Sequence, residues 1–471
     1  MRSSSLSSQS RPSDYSFPIL LPFLLVLAVL FYFWHTSDFA NPELLFILGS
    51  LFFFLCFFFA KTGLVLLVIS MLFSPEITLG FLSFRAVDIR LEDLMIPVLL
   101  FAWLGRLTIK REYRIITRSP LNVPILILLG WTLFSTAYAL VNGGTQLLPA
   151  LFYTLKSIQF FCIFFLVLNY VRAVPTIRQF LFFVLLTLAL VGIYTLVQVP
   201  SVEIFTEKRI TAPFEGSTPE PGTVGGYMAF LLLMILAMFL YEENAIRRWG
   251  FGFLGAVVLI PFIYTLNRTS YVALLGGLAC LVFLERKRKS LVFLFLAFLL
   301  TSPLWVPRAV KDRIAFTWED AQNPGRTMGV DSSFQGRIVV YEKVWNCLKN
   351  PPQTFLGCGV GSTDMPDSQY ARTLYEIGFV GVGLWAWIFV RLFRISRWLF
   401  ETVTEGTWRG MVQGYRVGLV AILLHGFGAI TFYTVRIMEP FWFITGLVVS
   451  LYLIKISETT PVEAVSRGEI P

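Results

Sequence analysis

Long apolar runs alternate with short polar breaks along almost the whole of this chain. Fourteen candidate spans fall near 18–35, 43–60, 62–79, 91–107, 121–141, 150–171, 177–199, 222–242, 249–266, 270–284, 291–307, 373–393, 412–432 and 437–455. As helices, runs of about 17–23 residues cross a hydrocarbon core of about 30 Å. They are rich in Leu and Phe and lack the ten-residue alternation of a membrane β-barrel. The pattern predicts an all-α polytopic membrane protein with about 14 (12–14) transmembrane helices. It divides the chain into a tail (1–17), eleven spans (18–307), one large polar loop (308–372), three further spans (373–456) and a second tail (457–471). Spans two and three meet at Lys61–Thr62 with almost no loop, and nine and ten are joined by Asn267–Thr269.

Composition supports this class. The chain is 56% hydrophobic and 14% charged, against about 25% charged in a soluble protein. The net charge of +9 is not spread evenly. The basic segments GRLTIKREYRIITRS, RAVPTIR, ENAIRRW, ERKRKS and RLFRISRW all fall on one side if the N-terminus is cytoplasmic, while HTSDFANPE, NGGTQL and TVRIMEP on the other side carry one Arg between them. The positive-inside rule then places both termini in the cytoplasm and the 308–372 loop outside. The excess charge is therefore topological, and no nucleic-acid partner is expected. No small-x-small cleavage site follows the first apolar run, so it reads as a retained span. The same count brings Arg209, Arg268 and Arg337 to one aqueous face. No fixed-period repeat or inverted pair of glycine-broken spans is evident, which weighs against a secondary transporter.

The polar loop has structure of its own. Ser332-Ser-Phe-Gln335 has capping-box spacing, predicting a helix to about Lys349 that stops at Asn350-Pro351-Pro352. Ile338, Tyr341, Val344, Trp345 and Leu348 form its apolar face, with Arg337 beside it. Glycines 357, 359 and 361 follow and permit φ > 0. Their amides can form an anion-binding nest, or the segment is a tight reversal between helices. Asp364, Asp367, Ser368, Gln369 and Tyr370 come next. The following span opens Tyr375-Glu-Ile-Gly-Phe-Val-Gly-Val-Gly383, whose glycines would let neighbouring helices pack closely.

This order resembles the shared region of the O-antigen ligase and polysaccharide polymerase superfamily: Gly-Arg with an amphipathic helix, Leu-Gly-x-Gly-x-Gly, a polar motif ending in Tyr, then Glu-x-Gly-x-x-Gly entering a span. Asn267-Arg268-Thr269-Ser270 is similar to the family's Ser-Arg motif, and Arg209 through Pro219-Glu-Pro-Gly-Thr-Val-Gly-Gly-Tyr227 to its Arg…Pro-Asn-x-x-Gly-Tyr pattern. The likeness covers roughly 205–385 by motif. Two departures stand out: Asp367-Ser-Gln-Tyr370 where ligases often show His-Asn-x-Tyr, and Gly222 where Asn is common. The Asp is similar to what many polymerase-type members carry.

The resemblance implies metal-independent glycosyl transfer, with no cofactor, on the outer face of a bacterial cytoplasmic membrane. The donor would be a polyprenyl-diphosphate-linked glycan, and membrane lipid, a chain-length regulator and a flippase would be partners. Arg209, Arg268 and Arg337 would hold the diphosphate, because guanidinium groups bind phosphate oxygens in a bidentate fork and stabilise charge developing on the leaving group. Asp367 would take the proton of the attacking hydroxyl. Gln369 and Tyr370 would bind sugar hydroxyls, Gly359 and Gly361 would approach the substrate, and Glu215 and Glu220 are alternative acids. A ligase and a lipid-linked glycan transporter are the competing readings.

Other residues add less. The two histidines, His35 and His425, have no partner at metal-ligand spacing, and Asp364-x-x-Asp367 alone is a weak cation motif. His425 reads as a buried polar residue. Lys156, inside a span, is a functional candidate or a snorkelling side chain. Cys56, Cys162 and Cys280 lie in spans. Cys347 and Cys358 share the outer loop, where a disulfide is chemically permitted.

Overall fold

The computed structural model describes residues 50, 54–55, 57–82, 85–109, 117–202, 209–215, 220–285, 332–362 and 368–459, with isolated positions between 290 and 311. The expected first span, most of the second and the eleventh lie outside these residues, as do Asp364 and Asp367.

Eleven of the expected segments are helices: α1 (Ala60–Phe73), α2 (Leu91–Ile109), α3 (Asn122–Val141), α4 (Leu147–Tyr170), α5 (Val174–Gln198), α6 (Pro221–Tyr241), α7 (Ala245–Tyr264), α8 (Arg268–Leu284), α11 (Gln369–Thr402), α12 (Gly406–His425) and α13 (Val435–Thr459). The pair α9 (Ser332–Leu348) and α10 (Pro351–Leu356) precedes α11. Seven helices are long and apolar enough to cross a membrane: α3, α4, α5, α6, α7, α11 and α13. The protein is thus a largely helical membrane protein, and the expected count of fourteen spans is not reached among the described residues.

One element departs from an all-α fold. Residues expected to end the third span instead form an antiparallel hairpin, β1 (Ile77–Leu82) and β2 (Arg85–Ile89), paired from Ile77–Ile89 to Leu82–Arg85. Ser74-Pro75 ends α1 early, since the residue before a proline disfavours the helical conformation.

The centre of the bundle is α6 and α13, whose apolar stretches are 83% and 89% buried. α12 lies against α6 along Gly410, Gly414 and Gly418, spaced four apart on one helical face. A Cβ at Gly414 would run into the Met234 backbone, so only glycine allows the two backbones to approach so closely. At the periphery α7 buries 17% of its apolar stretch, and the rest faces outward, as expected of a lipid-exposed helix.

α11 is two helices joined at a break. Gly378 has φ 65° and ψ −170°, a conformation that side-chain-bearing residues rarely adopt. Among the glycines expected to mediate helix packing here, Gly378 instead breaks the helix, Gly381 meets its own helix's Ile377, and Gly383 has nothing within 4 Å of a Cβ. The break leaves the carbonyls of Tyr375, Glu376 and Ile377 without helical partners. They accept from Cys358 N (2.6 Å), Gly359 N (3.0 Å) and the Trp131 indole (3.0 Å), respectively. Ser135 Oγ also donates to Glu376 O at 3.1 Å.

Candidate functional site

The end of the bundle formed by the α1–hairpin–α2 turn, the start of α4, the 209–215 segment, the start of α8, the glycine turn and the α12–α13 connection collects most of the buried charge. Hydrogen bonds tie these segments together. Arg436, the second residue of α13, donates to Pro213 O at 2.8 Å and Leu72 O at 3.4 Å. His425 lies between Thr431 Oγ1 (2.8 Å) and Ser270 Oγ (3.3 Å). Gln369 N bonds the carbonyls of Gly426 and Ala429, and the Tyr341 hydroxyl of α9 lies 3.3 Å from Ser368 Oγ. Segments far apart in sequence therefore meet at one end of the bundle.

Two linked charge clusters occupy this end. In the first, Arg372 and Glu376 form an ion pair one helical turn apart (Nε–Oε1 3.0 Å), both side chains buried. Tyr433 donates its hydroxyl to the other carboxylate oxygen at 2.5 Å, and Gly361 N donates to Oε1 at 3.2 Å. The guanidinium stacks on Tyr433 (3.9 Å) and Tyr153 (4.7 Å), a cation–π arrangement that partly replaces lost hydration. Burial, and next the Glu376 charge, push the Tyr433 phenol well above its ordinary range, so it remains a donor.

In the second cluster Glu76 bridges Arg90 and Arg436. Lys156 pairs with Asp93, and Gln159 donates to Glu439 at 2.8 Å. Glu92 and Glu439 are wholly buried. Helix α4 joins the clusters, since Tyr153, Lys156 and Gln159 lie one turn apart along it. Glu215 sits above Arg436, accepting from Ala212 N at 3.0 Å. Burial raises its carboxyl to about 7 against the opposing pull of Arg436.

The sequence-predicted residues fare differently. Arg209 and Arg268 are half-buried at this end; Arg268 opens α8 behind the Asn267 cap, whose side chain accepts from Ser270 N. Arg337 is on α9, with its side chain outside the described residues. Asp367 lies outside them altogether. The glycine turn does have positive φ at Gly357, Gly359 and Gly361 (76°, 90° and 73°), but it is not an open anion nest. Its amides from 357 to 361 donate to Gln353 O, Tyr375 O, Glu376 O, Thr136 Oγ1 and Glu376 Oε1. Gly359 and Gly361 are packed against Ala139 and Pro149, so they make a tight reversal and present no donors to substrate.

Gln369 and Tyr370 also need correction as sugar-binding groups. Gln369 is buried, donating to Thr373 Oγ1 and accepting from Phe432 N. Tyr370 donates to Leu423 O at 2.7 Å and packs on Phe427. Both fasten α11 to the α12–α13 connection. The expected face of α9 holds in part: Val344 and Leu348 pack, with Val340, on Ala371, while Tyr341 and Trp345 are exposed. Cys347 and Cys358 form a disulfide that ties the end of α9 to the glycine turn.

Sequence reasoning missed Arg372, Arg436, Glu439, Glu76, Arg90, Glu92 and Asp93. Arg436 and Glu439 stood in the loop TVRIMEP, yet both are helical and buried. A signal was present: Arg372 and Glu376 at i, i+4 beside a span are the spacing of a helical ion pair. Lys156, a candidate from the start, is paired and does not snorkel. Among the described residues no group of three or more His, Cys, Asp or Glu could hold a metal ion. No family model matches the chain, and no curated protein matches it in sequence.

Proposed function

We propose that this protein is a membrane glycosyltransferase that polymerises polyprenyl-diphosphate-linked oligosaccharide repeat units into a surface polysaccharide or exopolysaccharide. One observation carries the reading. The segments bearing Arg209, Arg268 and the α9 helix of Arg337 are tied to the same end of the bundle through Arg436, His425 and Ser368. A diphosphate is best held by several cations, and the shared ties of these three segments support grouping their arginines as its ligands.

In the reaction, an acceptor-sugar hydroxyl attacks the anomeric carbon of the donor. The bond from that carbon to the phosphate oxygen breaks, and polyprenyl diphosphate leaves with both electrons. Arg209, Arg268 and Arg337 stabilise the charge that builds on the leaving oxygen. Asp367 takes the hydroxyl proton. Glu215, raised to about 7 by burial, is the alternative base, since general bases work best when poised near the operating pH. The Arg372–Glu376–Tyr433 cluster fixes the glycine turn to the start of α11.

A second reading has support of its own. Buried charges within helices are a transporter's signature, and Arg372, Glu376, Lys156 and Glu439 are such charges. Position along the helices favours the enzyme for most of them: Glu439 is the fifth residue of α13, and Arg372 and Glu376 are the fourth and eighth of α11, while Lys156, the tenth of 24 in α4, lies deeper.

Replacing Arg268 and Arg337 with Ala at normal expression tests the site: polymer should disappear, and wild-type polymer length and amount would sink the proposal. Deletion separates the polymerase from a ligase. Loss of a polymerase leaves single repeat units, whereas loss of a ligase leaves long chains on the carrier lipid.

A further inference from the structure

The break at Gly378 lies too far along α11 to sit at a membrane surface. Beyond it, the helix reaches the exposed Arg394 after fifteen residues, 379–393, which is about 23 Å of helix. A hydrocarbon core is about 30 Å thick. The core therefore continues past the break, toward Thr373 and the start of α11.

α10 packs at that depth. A Cβ at Gly378 would run into the Phe355 carbonyl, and Ser135 Oγ donates to Leu356 O. Ser135 is the fourteenth residue of the 20-residue span α3, six positions or about 9 Å before its end at Val141. Two spanning helices thus place the end of α10 within the hydrocarbon.

The chain enters and leaves on one side. Leu348, at the end of α9, packs on Ala371. Phe355 lies beside Gly378, seven residues or about 10 Å further along α11. After the turn at Gly357, Thr145 of the α3–α4 connection donates to Val360 O at 3.0 Å, so the chain has returned to the end of the bundle from which it came. Irregular backbone is tolerated at membrane depth only where protein satisfies it, and the amides from 357 to 361 all have acceptors. What this region turns outward is apolar: Phe355 is 59% exposed, and Phe134 and Phe379, next to Ser135 and Gly378, are 57% and 53% exposed.

We propose that α10 and the glycine turn form a re-entrant segment, and that Phe355, Phe134 and Phe379 make a contact surface for phospholipid acyl chains in the leaflet on the side of the charge clusters. α10 then belongs to the membrane-embedded part of the protein and not to the aqueous loop expected at 308–372. The assignment does not rest on the proposed reaction.

Nitroxide labelling tests it in the full-length protein reconstituted into phosphatidylcholine vesicles, with Cys56, Cys162 and Cys280 replaced by Ala and the Cys347–Cys358 disulfide kept. A label at Phe355→Cys should collide more with oxygen, which concentrates in hydrocarbon, than with a water-soluble nickel chelate. It should match Phe134→Cys and reverse the order at Asn142→Cys, in the exposed turn after α3. Chelate collisions exceeding oxygen collisions at 355 overturn the proposal. Thermal unfolding in the same vesicles gives a second test that needs no label. Phe355→Asp should lower the midpoint, because a charge in hydrocarbon is costly, whereas Asp for an exposed Phe on an aqueous face would not. An unchanged midpoint for Phe355→Asp likewise overturns the proposal.

Discussion

Arg372 and Glu376 form an ion pair inside the bundle, one helical turn apart on α11, with side chains 2% and 0% exposed. Removing one partner of such a pair leaves an uncompensated buried charge, which costs about 3–5 kcal/mol. Glu376→Ala should therefore lower the thermal unfolding midpoint markedly in detergent. Adding Arg372→Met to Glu376→Leu should recover only part of the loss, because the Tyr433 hydroxyl and Gly361 N would still lack their acceptor. Full recovery would show that those two bonds contribute nothing.

Gly378 should not accept a side chain. Its φ of 65° is strained for any other residue, and a Cβ there would run into the Phe355 carbonyl. Gly378→Ala should cost about 1–3 kcal/mol from backbone strain alone. Increased protease cleavage within 357–362 would be the local readout, and wild-type resistance would argue that the break is not needed.

The Cys347–Cys358 disulfide closes a sequence separation of 11 residues, a loop size for which the chain-entropy estimate is about 3 kcal/mol. Reduction, or Cys347→Ser, should loosen α9 from the glycine turn without unfolding the bundle. Maleimide labelling of Cys347 and Cys358 only after reductant would verify the bond. Labelling without reductant in protein isolated under non-reducing conditions would contradict it.

Glu215 provides a pH signature. Its carboxyl is raised from about 4.5 to about 7 in the folded protein, so between these values the folded state holds a proton that the unfolded chain has released. Stability therefore falls as pH rises through this window and levels off above 7. Glu215→Gln keeps an acceptor for Ala212 N and removes the slope. The difference in unfolding midpoint between wild type and variant, measured from pH 4 to 8, isolates the effect. Parallel curves would refute it.

Helix positions were largely legible because apolar run length reports directly on membrane spanning; α3 through α8 coincide closely with their expected segments. The positive φ of the glycine turn and the start of α9 at Ser332 were legible too, since both are local effects. What the sequence hid was rotation and partnership. Tyr341 and Trp345 were expected on one apolar face with Val344 and Leu348, but packing against Ala371 takes the latter two with Val340 and leaves the aromatics exposed. Arg436 and Glu439 looked like loop charges because a hydropathy boundary cannot show that their partners arrive from elsewhere, Glu76 from the α1–β1 connection and Gln159 from α4. Gln369 and Tyr370 looked available because the partners that fasten them, Phe432 N and Leu423 O, lie more than fifty residues away.

The break in α11 and the glycine turn are complementary irregularities of one backbone. Straightening the helix at 378 would draw the carbonyls of Tyr375 and Glu376 back into an ordinary helical ladder and strand the amides of Cys358 and Gly359. Replacing the turn would strand the carbonyls instead. Neither irregularity is tolerable without the other, so a sequence can lose or keep them only as a pair. A graft of one onto a related scaffold should fail unless the other is carried with it.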